Sequence, residues 1–419
     1  MIPDDGRHDA SYGSERAGRG SAMKRRVVIV GAVRTPIGAL GGGLASFQAQ
    51  QLAAHVIKGL LGSTGVDPAA VEYTCMGWVV QDPRCPNLAK TAAELAGVPP
   101  TSPGTTFQEN CASGGAAIHS LVRRILLDEV SLGIAGGVES MSNVPRYLFT
   151  GRIKNQLYGD MTLVDGLFGA LTDAEVGEGE LMGLLSERLV DKYGVCREEQ
   201  DQVAYRSHRA ALEAWEKGAF DGYVVPVEVP QRRGEAVVVA RDEGPRPVTL
   251  EQLAAAKPYF KRDGGTITSA NASTLNDAAA VVLLASEERA AELKLEPLAE
   301  IVAYHNIGVE RSLMGEGAFK VIPPLLARAG VELPEVDFFE INEAFGAVVA
   351  AAYHFLPELK VERTNQWGSG ISLGHPVGCT AARQIVDMVH QLRRRQATLG
   401  VTSRCVGGGM GSGEVLRRM

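Results

Sequence analysis

The hydrophobic pattern opens on Val27–Gly31, a run of apolar and mostly β-branched residues that predicts a buried strand. Over residues 47–61, Leu52, Ala53, Val56, Leu60 and Leu61 recur at helical spacing and predict an amphipathic helix. Tyr73–Val80 reads as a second strand. Thr105–Asn110 leads into Cys111, beyond which Ile118, Leu121, Val122, Ile125 and Leu126 keep the helical period, so a helix is expected to begin near Cys111. Leu132–Val138 is a glycine-containing strand. Strands alternating with helices predict an α/β class with a parallel or mixed sheet.

The middle of the chain has a different texture. Residues 141–269 carry helical patterns at about 180–192 and 198–217, set among Gly-, Pro- and charge-rich connections such as Gln231–Glu235 and Arg241–Pro247. This stretch reads as an elaborated insertion lying over the α/β core. Ala278–Leu284 resumes a buried strand. The last third then repeats the style of the first: a strand at Asp337–Ile341, an Ala-rich helix at Glu343–Phe355, and a helix over 378–394. That last helix ends in Arg393–Arg395, which suits a helix C-terminus. A strand at Ala397–Val406 follows. Two similar halves related by a pseudo-twofold are expected, although no exact repeat is visible.

Composition narrows the classes. Six Cys in 419 residues exclude a disulfide-stapled scaffold. No run approaches the roughly 20 apolar residues of a membrane span. The net charge of -7 argues against broad nucleic-acid binding. Residues 1–22 are polar and lack an apolar h-region, so they are no secretory signal. They read as a disordered leader, or as the product of a start placed upstream of Met23, with structure expected from Lys24. Few cysteines and no targeting signal together suggest a reducing cytoplasm.

Four positions can carry chemistry. Cys111 falls at an expected helix start, where free N–H groups and the helix dipole favour a thiolate; a buried structural thiol is the competing reading. His375, between Gly374 and Pro376, can take a thiol proton and return it, or can be a turn histidine. Cys405 precedes Gly407-Gly408-Gly409, which can expose backbone amides to a ligand carbonyl or make a tight hairpin. Asn342 can orient a water or a carbonyl, or cap the following helix. His55, His119, His208, His354 and His390 lie in helical patterns and read as packing or surface residues, while His8 lies in the leader. No C-x₂₋₄-C pair and no H-E-x-x-H is present, so a metal site is not expected. Gly31-Ala32-Val33-Arg34-Thr35-Pro36 after the first strand is not a dinucleotide-binding turn.

Taken in order, ENCASGG (109–115), GGVESMS (136–142), NASTLNDAAAVVL (271–283), NEAFG (342–346), GHPVGCTAAR (374–383) and CVGGGMG (405–411) resemble the thiolases, the acyl-CoA C-acyltransferases. The opening VVIVGAVRTPIG (27–38) looks like the usual family start. The resemblance runs from about Met23 to near the C-terminus. It implies two like α/β halves in a five-layer αβαβα sandwich with an inserted loop region. The first half would comprise 23–140 and 270–293, the loop region over the CoA site 141–269, and the second half 294–419. It further implies a homodimer or homotetramer, with CoA and acyl-CoA as substrates and no tightly bound cofactor.

The resemblance also assigns roles. Cys111 looks like the acylated nucleophile, His375 its activating base, and Cys405 the second acid/base that moves the α-proton of acetyl-CoA. Asn342 looks like the holder of a water in one oxyanion hole with His375, and the backbone amides of Cys111 and Gly407 look like the other. Ser273 looks like a pantetheine contact, with Leu275 and Met182 also placed against CoA and Arg246 towards its nucleotide. Claisen chemistry on a thioester needs such parts: a thiol to hold the acyl group, a base near the α-carbon, and donors at the oxygen. The family's His-Met-Gly loop motif reads Leu181-Met182-Gly183 here, which makes the local wall apolar and points away from a strict acetoacetyl-CoA specificity. The expected activity is thiolysis of 3-ketoacyl-CoA and its reversal. The alternatives are a short-chain biosynthetic acetyl-CoA C-acetyltransferase and an inactive CoA-binding scaffold subunit.

Overall fold

The computed structural model describes residues 25–149, 160–177 and 179–419. The expected leader at 1–22 lies outside the described residues.

The first half contributes β1 (Val27–Arg34), α1 (Ala49–Thr64), β2 (Tyr73–Gly77), α2 (Leu88–Leu95), β3 (Gly104–Phe107), α3 (Ser113–Leu126), β4 (Leu132–Ser140) and, after the insertion, β5 (Asn276–Ser286). The insertion holds α4 (Met182–Tyr193) and α5 (Arg197–Glu216). The second half contributes β6 (Ala299–Gly308), α6 (Ile322–Ala329), β7 (Phe338–Ile341), α7 (Gly346–Phe355), α8 (Thr380–Arg395), β8 (Leu399–Val406) and β9 (Met410–Arg418).

The pseudo-twofold expected from the sequence is written in the strand order. The first half runs β3-β2-β4-β5-β1 across the sheet, with the first two pairings parallel and the next two antiparallel. The second half runs Thr364-β7-β8-β9-β6 with the same pattern, Thr364 bridging Phe339 where the first half has a full strand. Each half even slips register at the same place, between Ile29 and Gly31 in β1 and between Ile301 and Ala303 in β6. β1 and β6 pair antiparallel and join the halves.

Between the two halves lie α3 and α8, which pack on each other as well as on the strands. α1 and α2 cover the outer side of the first half, and α6 covers β6 and β9 on the other. This is the five-layer arrangement. α8 is buried on nearly all its faces, as a central-layer helix must be, and its three terminal arginines occupy the last turn. The insertion does not rest only on the half that carries it: α4 and α5 pack against α7 of the other half. Arg34 of β1 clamps it from beneath, bonding both carboxylate oxygens of Asp242 at 2.8 and 2.9 Å and Asp387 of α8 at 2.9 Å.

Some element ends move. The helix expected from Glu343 starts at Gly346, because Ala344 and Phe345 are held extended: Ser273 N–H donates to the Ala344 carbonyl, and Phe345 bridges Ala272. Asn342 is therefore no helix cap. The chain's end forms β9, paired with β6 and β8 and buried from Gly411 to Leu416.

A second buried charge cluster sits beside α3. Arg404 and Glu414 pair across β8 and β9, both fully buried, and Glu414 Oε1 also meets His119 Nε2 at 2.8 Å. The Arg404 charge, with hydrogen bonds from His119 and Arg404, overcomes burial and holds the Glu414 carboxyl down to about 2. Its folded value lies below the ordinary 4.5, so its contribution is in place above about pH 4.5 and is lost as pH falls towards 2. Removing one partner strands a buried charge. Arg404→Ala is expected to lower stability by about 3–5 kcal/mol in urea unfolding at pH 7; a loss under ~1 kcal/mol would show that the cluster does not hold the sheet.

Candidate active site

Cys111 occupies the turn between β3 and α3. Asn110 turns the chain at φ +45°, and Ser113 ties the turn down: its hydroxyl donates to the Asn110 carbonyl at 2.7 Å and accepts from Glu109 N–H at 2.8 Å. Close contact explains the two glycines that follow. A Cβ on Gly114 would lie 3.0 Å from the Gly378 carbonyl oxygen, and one on Gly115 2.9 Å from Arg404 Nη1.

His375 stands in the corresponding turn before α8. Its backbone N–H donates to Asn276 Oδ1 at 3.0 Å, and Gly374, at φ +114°, presses against the same amide. Its Nδ1 lies 2.6 Å from Thr380 Oγ1. That hydroxyl already donates to the Pro376 carbonyl at 3.0 Å, so it accepts from the ring. The proton is thereby fixed on Nδ1, and Nε2 keeps its lone pair. Cys405 ends β8, and Gly408 and Gly409 make the turn into β9 at φ +90° and +84°, which only glycine adopts freely.

These turns converge. Cys111, His375, Cys405 and Gly407 line one narrow cavity, joined by Ser273 and Met182. The other three positions singled out from the sequence stand apart from that wall. Leu275 packs in the small apolar cluster against which Cys111 also rests. Asn342 is fully buried, and neither polar atom of its amide has a protein partner. Arg246 is exposed near His208, to which its backbone N–H points, and takes no part in the cavity. Leu181 forms the lead-in to α4 and leaves the lining to Met182.

Electrostatics correct one expectation. The sulfur of Cys111 is walled in, and burial pushes its thiol up to about 11, although the backbone N–H groups of Gly407 and Cys111 itself pull the other way. Burial likewise raises the Cys405 thiol, and drives His375 down to about 3 with help from Arg383. Desolvation outweighs the helix terminus. The resting state is a neutral thiol beside a neutral imidazole.

Sequence reasoning missed three supporting residues. Asn110 Nδ2 donates to the Gly407 carbonyl at 2.8 Å and so ties the glycine turn after Cys405 to the turn that carries Cys111. Thr380 sets the tautomer of His375. Glu139, buried at the end of β4, accepts from the N–H groups of Val79, Val80 and Gly378 at 2.9–3.3 Å, and burial lifts it to about 7. A carboxylate closing an apolar strand was a visible signal for Glu139; Asn110 and Thr380 carried none.

Two free thiols and a neutral imidazole in one narrow cavity suit the handling of acyl groups. The comparisons agree with that class. Residues 27–288 match the thiolase N-terminal domain and residues 295–418 the thiolase C-terminal domain, and the chain belongs to the thiolase family. It is an acyltransferase of that family. It is 39% identical over 395 residues to a probable acetyl-CoA acyltransferase of Staphylococcus aureus strain NCTC 8325, covering 94% of this chain and 99% of that one. The crystal structure of the Bacillus anthracis acetyl-CoA acetyltransferase superposes with a TM-score of 0.91 at 42% identity, over 95% of this chain and 100% of that one. Human mitochondrial 3-ketoacyl-CoA thiolase in complex with CoA gives 0.90 at 35% identity, over 96% and 100%.

Thr380→Val keeps the shape but removes the acceptor for Nδ1–H. It is expected to lower kcat by about 10–100-fold with KM little changed, while Thr380→Ser retains activity. Alkylation of Cys111 in the free enzyme, followed by mass spectrometry, is expected to quicken about tenfold per pH unit between pH 7 and 9, because its pKa lies above that range. A plateau near pH 7 would show a preformed thiolate instead.

Proposed function

We propose that the protein cleaves 3-ketoacyl-CoA with CoA to acyl-CoA and acetyl-CoA, and runs the reverse condensation, through an acyl group carried on Cys111. The observation that carries this reading is the pair of backbone N–H groups, from Cys111 and Gly407, that face the Cys111 sulfur in the same cavity as His375 and Cys405.

In the cleavage direction, Cys111 Sγ attacks the 3-keto carbon as its proton passes to Nε2 of His375. The alkoxide that forms is met by the amides of Cys111 and Gly407. The C2–C3 bond breaks, and its electron pair leaves on the enolate of acetyl-CoA, to which the Cys405 thiol gives a proton. Asn342, whose amide is buried without a protein partner, supports a water that hydrogen-bonds the enolate oxygen together with His375. CoA then loses its thiol proton to the Cys405 thiolate and takes the acyl group, and the Cys111 thiolate released recovers its proton from Nε2 of His375. A thiol pKa of about 11 beside an imidazole near 3 disfavours a standing ion pair, so proton transfer accompanies attack. Ser273 and Met182, on the cavity wall, contact the pantetheine arm. Leu275 supports that wall from behind. Arg246, exposed and outside the cavity, is at most a contact to the distal nucleotide. The site works on soluble CoA thioesters; assembly as a dimer or tetramer and a cytoplasmic setting are part of the same proposal.

Exposure to acetyl-CoA followed by mass spectrometry is expected to place an acetyl group on Cys111; its absence would restore the reading as an inactive CoA-binding subunit. Cys405→Ser is expected to lower thiolysis and condensation by about 10²–10⁴-fold while acylation of Cys111 persists. Thiolysis at the full rate in that variant would remove Cys405 from the mechanism.

A further inference from the structure

Glu139, the last residue but one of β4, is fully buried, and its hydrogen bonds come from backbone N–H groups. Oε2 takes those of Val79 at 3.1 Å and Gly378 at 2.9 Å, and Oε1 takes that of Val80 at 3.3 Å. The donors belong to two walls of the reactive site. Val79, Val80, Val377 and Met141 form the apolar cluster against which Cys111 rests, and Val79 and Val377 also line the cavity itself. Gly378 lies in the turn between His375 and α8, so close that a Cβ on it would stand 2.8 Å from Glu139 Oε2. One carboxylate therefore ties the seat of Cys111 to the turn that carries His375.

We propose that Glu139 is a positioning residue for the reaction: its ionised carboxylate holds the Cys111 seat and the His375 turn in register, and turnover is lost as it takes up a proton. This role rests on the reaction proposed above. A carboxylate only accepts, and its bonds from N–H groups are roughly twice as strong as those between neutral partners. A proton on either oxygen weakens the bonds that oxygen holds and sets a new donor among three donors. The walls are then free to shift, and a displacement of about 1 Å costs on the order of 10²-fold in rate. The ionisable groups facing Glu139 are acids: Asp277 from β5, Cys111 from the turn before α3 and Cys379 at the start of α8. Burial, with Asp277 adding to it, lifts the Glu139 carboxyl to about 7, although its three N–H partners pull the other way. Cys111 near 11 and His375 near 3 titrate well outside that region. Glu343, bonded to Ser207 and Asn365, is a buried carboxyl lifted to about the same value and serves as the control.

The test is the pH dependence of thiolysis of acetoacetyl-CoA and 3-ketooctanoyl-CoA by the full-length protein, with recovery checked on return to pH 8. In the parent protein kcat/KM is expected to fall at least about tenfold between pH 8 and pH 5.5, with a midpoint near 7. Glu139→Gln keeps the shape but does not titrate. At pH 8 it is expected to work about 10–100-fold more slowly than the parent, near the parent's level at pH 5.5, and to vary by less than about threefold over the same range. Glu343→Gln is expected to keep the acid limb and its midpoint. A structural defect alone would lower the rate at every pH and leave the limb in place. Should Glu139→Gln not fold, Glu139→Asp, too short to reach all three N–H groups, is expected to move the midpoint. A parent profile with no limb, a limb that survives in Glu139→Gln, a limb lost in Glu343→Gln, or an unmoved midpoint in Glu139→Asp would each overturn the role. Thiolysis with a flat profile sinks the role of Glu139 alone, whereas no thiolysis of either substrate at any pH sinks the proposed function and this role with it.

Discussion

The structure depends on how closely the central helices α3 and α8 and the strand β4 beneath them can approach. A Cβ on Gly137 of β4 would lie 2.1 Å from the Gly378 carbonyl oxygen, and one on Gly114 would lie 3.0 Å from that same oxygen. Contact here is backbone against backbone, so the spacing is set by peptide groups and not by side chains that can rearrange. Both helices begin at this junction. The turn before α3 carries Cys111 and the turn before α8 carries His375, so the approach that closes the core also brings two reactive groups to one cavity. Bulk at Gly114 or Gly137 would push the turns apart before it touched the chemistry.

Burial at this junction has an electrical consequence. Groups removed from water hold on to their neutral forms: the thiols of Cys111 and Cys405 are pushed up and the imidazole of His375 down. In the proposed mechanism, charge is then created only when substrate arrives, and fixed donors stand where it develops. The structural charges nearby follow the opposite logic. Arg404 with Glu414, which ties the two strands of one hairpin, and Arg34 with Asp242 and Asp387, which joins segments distant in sequence, are buried but paired. They hold the sheet and the insertion in place; the reactive groups stay uncharged between them.

Much of this was legible from the residues. Core strands such as Val27–Arg34 and helices such as Ala49–Thr64 announced themselves by periodicity, because burial on one face leaves a pattern. Cys111, His375, Cys405 and Gly407 stood out because each sits against glycines at an expected boundary between elements, and the structure gathers them at one cavity. What was hidden came from tertiary contact. Phe345 is held extended by Ala272, so the helix after β7 starts three residues later than its Ala-rich composition suggests. Thr380 looks like any helical threonine until His375 is seen against it. Arg246 was assigned through the resemblance, and no motif fixes the length of the loop that carries it.

The two halves share strand order, pairing sense and even a register slip, yet they close the connection between their last two strands in different ways. In the second half the link from β8 to β9 is the turn Gly407–Gly409, short enough that Cys405 and the Gly407 amide are delivered straight to the cavity from the end of a rigid strand. In the first half the corresponding link from β4 to β5 is more than 130 residues long by the element bounds, and it carries Met182 to the cavity and Ser273 back from it. A short link can place a reactive atom but cannot wall a substrate; a long one can build walls but is poorly suited to fixing an atom to a fraction of an ångström. Duplicating one fold and lengthening that link in a single copy separates the two tasks. The thiol chemistry stays on strand ends and helix starts, while the insertion, pinned through Asp242 and packed on α7, is left to shape what the cavity admits.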